Sequence, residues 1–183
     1  MWGMVLAGIL PLVAFVVVDY FASPRTAVLF AMGLGLAIGL YFYLIMEDFD
    51  QTILFELALL LVLGFISLYK NHPVWFKFQP VVTGVLLALF LLWFQLFDVP
   101  YLVKFIPRIA AIAPDKAAVL ELPEMQLVLA RLSGLLVPAF LLHAVAVGWC
   151  ALKKSDLAWI LTRLAIWPIL FLLMISVQIY TLS

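Results

Sequence analysis

The chain reads as an all-α protein, a polytopic transmembrane bundle of six helices built as one integral membrane domain over residues 1–183. Three observations predict this. Six apolar runs fill most of the sequence, and each has about the 20 residues a helix needs to cross a hydrocarbon core ~30 Å thick. Hydrophobic residues make up 68% of the chain and charged residues only 11%, against roughly 45–50% and 25% in soluble proteins, so no soluble core could hide the apolar surface. The runs also lack period-two alternation, and in lipid every backbone amide must be satisfied internally, so helices are expected rather than barrel strands.

The first run, Trp2 to Tyr20, has no basic residue before it and exceeds the roughly 7–15 residues of a signal core, so a retained span is expected. Ser23-Pro24 then stops one helix, and the second run goes from Thr26 to Met46. A tight acidic turn with Glu47, Asp48 and Asp50 leads to the third, Thr52 to Leu68. Tyr69 to Gln79 mixes aromatics with Lys70 and Lys77, a composition suited to the headgroup region, before Pro80 opens the fourth run, Pro80 to Phe97. The long connection Asp98 to Ala130 carries Pro100, Pro107, Pro114 and Pro123, which deny it an uninterrupted span. Its apolar residues alternate with Lys104, Arg108, Asp115 and Lys116, so a short amphipathic segment lying in the interface is expected between spans four and five. Leu132 to Leu152 and Leu157 to Tyr180 complete the set. Basic residues are slightly more frequent at loops one, three and five, a bias that places both termini on the outer side.

Charges inside spans are costly and call for a role. Asp19, Glu56, Arg131, His143 and Arg163 are the candidates. In a six-helix serpentine Asp19 can meet Arg163 at one face and Glu56 can meet Arg131 at the other, and two opposite-charge pairs are more simply clamps than a proton path. His143 reads as a packing residue. The sharpest packing signal is on span two, where Ala27, Ala31, Gly35 and Gly39 recur every four residues, a face that lets another helix approach closely. Gly33 lies off that stripe. Pro11, Pro138 and Pro168 fall within spans and are expected to bend them.

Net charge is zero, which gives no reason to expect nucleic acid as a partner. The lone Cys150 precludes an internal disulfide and a multi-cysteine metal site, and it reads as a packing residue. The chain has no glycine loop for phosphates, no His-Glu-x-x-His and no nucleophile elbow. The expectation is accordingly no catalytic residue, no cofactor and no metal, with the bilayer and other membrane proteins as partners.

The segment His72-Pro73-Val74-Trp75-Phe76-Lys77-Phe78-Gln79-Pro80-Val81-Val82 resembles the bacterial intracellular septation protein A family, which has an aromatic-rich stretch, a lysine and then a proline at the start of its fourth apolar segment. Gln95-Leu96-Phe97, Leu122-Pro123 and Arg131-Leu132-Ser133 fall where that family has similar words, and the span lengths agree from end to end. The acidic second loop departs from the family's commonly basic one, and Leu129 stands where the family has a tryptophan. The resemblance implies a multi-pass protein of the bacterial inner membrane, linked to cell division and envelope maintenance through contacts with other membrane proteins, with Trp75, Lys77 and Pro80 as its loop signature. An accessory subunit of an energy-converting or transport complex, and a small transporter, are the competing readings.

Overall fold

The computed structural model describes residues 2–45, 51–104, 106–107, 119–153 and 155–182. All regular structure among them is α-helical. The helices are α1 (Trp2–Phe21), α2 (Pro24–Ile45), α3 (Gln51–Lys70), the single turn α4 (Val74–Lys77), α5 (Gln79–Phe97), the single turn α6 (Tyr101–Lys104), α7 (Pro123–Lys153) and α8 (Asp156–Leu182). Pro24–Leu44, Val74–Phe97, Pro123–Lys153 and Asp156–Gln178 are each long and apolar enough to cross a membrane. The chain is thus a helical membrane protein. The acidic turn at Glu47, Asp48 and Asp50, and Arg108, Asp115 and Lys116 of the long connection, lie outside the described residues.

Local chemistry explains the helix ends. The Ser23 hydroxyl accepts the Thr26 amide at 3.2 Å, which caps α2, and Pro24 occupies the first turn, where its missing N–H costs nothing. At the far end of α3, Asn71 takes the left-handed conformation with φ 57°. The His72 amide returns to the Ser67 carbonyl and the Asn71 amide to Leu68, so the last carbonyls of the helix find donors. Pro123 opens α7 in the same way that Pro24 opens α2, and α7 therefore begins well before Leu132. The proline expected to interrupt the long connection instead starts a helix there. Pro11, Pro138 and Pro168 sit inside helices that continue through them.

Two compact units are resolved by their contacts, Met1–Thr83 with Ala146–Arg163, and Gly84–Val145 with Leu164–Ser183. In the first, Leu12, Phe15, Ala27, Ala31, Leu60, Phe76, Val147 and Trp159 form one buried cluster. Phe15 of α1 is its hub. Its ring lies 4.9 Å from that of Phe76 on α4 and 6.2 Å, edge to face, from that of Trp159 on α8. Such ring pairs contribute about 0.5–1.5 kcal/mol each beyond their area. The stripe Ala27, Ala31, Gly35 and Gly39 is buried throughout, whereas Gly33 is exposed. Gly35 faces Leu60 and Leu57, and Gly39 faces Leu57, so the close approach is made by α3 of the same chain.

In the second unit Ala88 and Leu91 of α5 pack on Val137 of α7, and Ala139 packs with Leu170 and Met174 of α8. His143 is buried, with its ring 5.0 Å from that of Trp167. The turn α6 is fixed to α7 by the Leu102 amide, which donates to Ser133 Oγ at 3.0 Å. Lys104 closes back on Asp98 at 2.5 Å and lies over the Phe94 ring. The Lys104 ammonium and the Val99 amide hold the exposed Asp98 carboxyl below its ordinary value of 3.8. A carboxyl depressed on folding keeps its charge, and its pairing, at every pH above that value and loses both only as pH falls through the lower folded value. Titration of Asp98 followed by NMR is expected to show a midpoint under 3.8 that returns upward in Lys104→Met. An unmoved midpoint would remove the pairing.

Candidate functional site

Two groups of ionisable side chains in the first unit involve α8. Asp156, Trp159 and Arg163 lie at i, i+3 and i+7 and so share one face of that helix. At its first turn, Lys77 forms an ion pair with Asp156 although both side chains are largely withdrawn from solvent. Asp19 of α1 completes the group: its carboxyl lies within hydrogen-bonding reach of Asp156 and feels the Lys77 charge. One ammonium faces two carboxyls, and Asp19 Oδ1 and Asp156 Oδ2 are buried without a hydrogen-bond donor among the described residues. Beside them opens a cleft of about 710 Å³ bounded by Asp19, Asp156, Ser155, Tyr20, Phe21 and Leu157.

Lys77 reaches this position because α4 is a single turn wedged between α3 and α5. The same turn that seats Phe76 in the core at 0% exposure rotates Lys77 inward, where its ammonium lies 5.9 Å from the centre of the Phe15 ring. Lys77 is buried there, and Asp156 supplies the counter-charge that a buried ammonium requires. Trp75 of the same turn is exposed and Pro80 is buried.

Seven residues along α8 from Asp156, Arg163 is the charged neighbour of Glu56 on α3. At 1.5 Å rise per residue this is about 10 Å deeper along the helix. Asp19 was the partner expected for Arg163, and the structure places Asp19 beside Asp156 and Lys77. Arg131 is exposed and belongs to the second unit. Reversing Glu56 or Arg163 alone is expected to cut detergent-stable protein severalfold, and exchanging the two charges to restore part of it. A double variant no better than the singles would dissolve the pair.

Cys150 packs at 3.3 Å from the Thr162 hydroxyl, which itself donates to the Ala158 carbonyl at 2.7 Å. Among the described residues no group of three or more His, Cys, Asp or Glu side chains is arranged to hold a metal ion. The arrangement can hold a proton or a small cation at the cleft and can lock α1, α4 and α8 together. Sequence reasoning missed Asp156. It stands at the start of a helix, where an acidic residue is ordinary, and only the fold reveals that Lys77 lies opposite. Comparison with known proteins finds no matching family model, curated protein or solved structure.

Proposed function

We propose that this chain is a non-enzymatic, six-span protein of the bacterial inner membrane that serves cell division or envelope maintenance through contacts with other membrane proteins, as the resemblance to septation protein A implies. One observation carries the reading: the loop words behind the resemblance act in packing. Phe76 and Lys77 turn inward to tie α4 to α1 and α8. The lipid-facing surface is rich in exposed aromatic and aliphatic side chains such as Phe30, Tyr41, Trp93 and Trp149, which suits lateral contacts within a bilayer.

The test removes the protein from its native cell and, separately, extracts it in mild detergent for mass analysis. Division or envelope defects together with a co-migrating membrane assembly are expected. Normal septation and a lone monomer would sink the reading, and co-purification with a large respiratory or transport complex would favour the accessory-subunit alternative.

A second reading is favoured by the cleft beside Asp19 and Asp156: a small transporter of cations. Proteoliposomes would then take up a methylammonium probe, and Asp19→Asn would abolish the uptake. Uptake equal to that of empty liposomes would exclude it.

A further inference from the structure

We infer that a second cavity, where the turn after α3 meets the start of α2, is a binding site for a phosphate group at the membrane surface. This inference is independent of the proposed role in division.

The cavity holds about 250 Å³, enough for a phosphate and the first atoms of an attached glycerol. Its polar wall is made by Ser23, Arg25, Asn71 and His72, and its floor by Val28 and Leu68. None of the described residues lining it is acidic. Arg25 takes part in neither the Lys77–Asp156 nor the Lys104–Asp98 ion pair. A guanidinium presents a planar fork of donors that fits two phosphate oxygens at once, which a lysine cannot do.

The wall is held in shape before anything binds. Ser67 is buried and its hydroxyl donates to the His72 carbonyl at 3.1 Å. The left-handed Asn71 turns the chain sharply at the cavity edge. The Val74 amide donates to His72 Nδ1 at 3.4 Å, which leaves Nε2 as the donor of that ring. The Ser23 hydroxyl is already engaged with Thr26, so the α2 terminus is capped, and the side chains of Arg25, His72 and Asn71 supply the recognition. The location adds to this: the cavity sits at the first turn of a helix long and apolar enough to cross a membrane, an end that such a span would bring to the headgroup region. The apolar floor at Val28 and Leu68 then meets the carbon atoms next to the phosphate. A phospholipid headgroup and free inorganic phosphate share this chemistry, and the experiment separates them.

The full chain, purified in a neutral detergent, is titrated with phosphatidylglycerol, with a galactosyl-diacylglycerol of the same acyl chains that lacks phosphate, and with inorganic phosphate. Bound lipid is counted by native mass spectrometry and thermal stability is read in parallel. One retained phosphatidylglycerol per chain is expected, with the galactolipid not retained. Arg25→Gln is expected to weaken retention about tenfold, the usual worth of a lost charge-assisted hydrogen bond. Asn71→Asp should do the same, because aspartate tolerates the left-handed conformation and places a carboxylate against the phosphate. Lys153→Gln removes the same charge at an exposed position outside the cavity and should bind like the parent. If inorganic phosphate stabilises the parent and displaces the lipid, and Arg25→Gln loses that response, the site stands with a soluble source. Should one variant fail to purify as a single species, the other decides. Undiminished retention in the folded variants, equal weakening by Lys153→Gln, or equal retention of the galactolipid each overturns the inference.

Discussion

Lys77→Met is expected to lower the stability of the protein in mild detergent by about 3 kcal/mol, the scale seen when one member of a buried ion pair is removed and the other is left. Methionine matches the length of the lysine stem, so packing against Phe15 persists and the loss is mainly electrostatic. Asp156 then loses the ammonium that neutralises it, and Asp19 loses the charge that offsets its carboxyl neighbour. The companion variant Asp156→Asn leaves Lys77 facing Asp19 alone. The double change, Lys77→Met with Asp156→Asn, is expected to be more stable than the first single variant, because the surviving charge has been reduced along with its partner. Thermal unfolding followed by size-exclusion recovery measures all three. If Lys77→Met unfolds with the parent, the ion pair contributes nothing and the clamp is lost as an explanation for the buried lysine.

Gly35→Leu, and Gly39→Leu with it, is expected to destabilise by about 1–3 kcal/mol per site, the usual cost of overpacking. A single Cβ at Gly35 would come within 2.9 Å of Leu60 Cδ2, and one at Gly39 within 2.8 Å of Leu57 Cδ2. Those are ends of flexible side chains, so alanine is accommodated by a small rotation, whereas leucine has to displace α3. Gly33→Leu is the control, because nothing lies within 4 Å of the position its Cβ would take. There the better helix propensity of leucine, about 0.8–1.0 kcal/mol over glycine at most, is the main effect. Equal melting of Gly35→Leu and Gly33→Leu would mean that α3 yields freely and that the stripe does not govern the contact.

The helical class and the membrane character were legible because composition and run length constrain them directly. The stripe on α2 was legible too, since four-residue spacing puts small side chains on one helix face whatever the neighbour. Its partner was not: no local pattern identifies Leu57 and Leu60 as the residues that fill the groove. The charged residues show the same limit more sharply. Asp19, Glu56 and Arg163 announced themselves by standing in apolar runs, but which charge meets which depends on helix rotation and on α4, a turn of four residues that periodicity cannot detect. Lys77 looked interfacial because its neighbours are aromatic. Those aromatics are in part core residues, and Phe76 at 0% exposure explains the mixture. Pro123 misled for a related reason, since proline breaks a helix in its interior and favours it at the first turn.

The hub at Phe15 has a consequence for biosynthesis. Phe15 of α1 leaves the ribosome well before Trp159 of α8, against which its ring packs. At about 5–20 residues per second, roughly 7–29 s separate the appearance of the two rings. Throughout that interval the inward face of α1 lacks its final neighbour, and a chain arrested before α8 exposes both Phe15 and the carboxyl of Asp19 to lipid or to whatever insertion factor is at hand. Quality control of the nascent protein therefore turns on α8, and truncations that remove it leave the inward face of α1 unfinished.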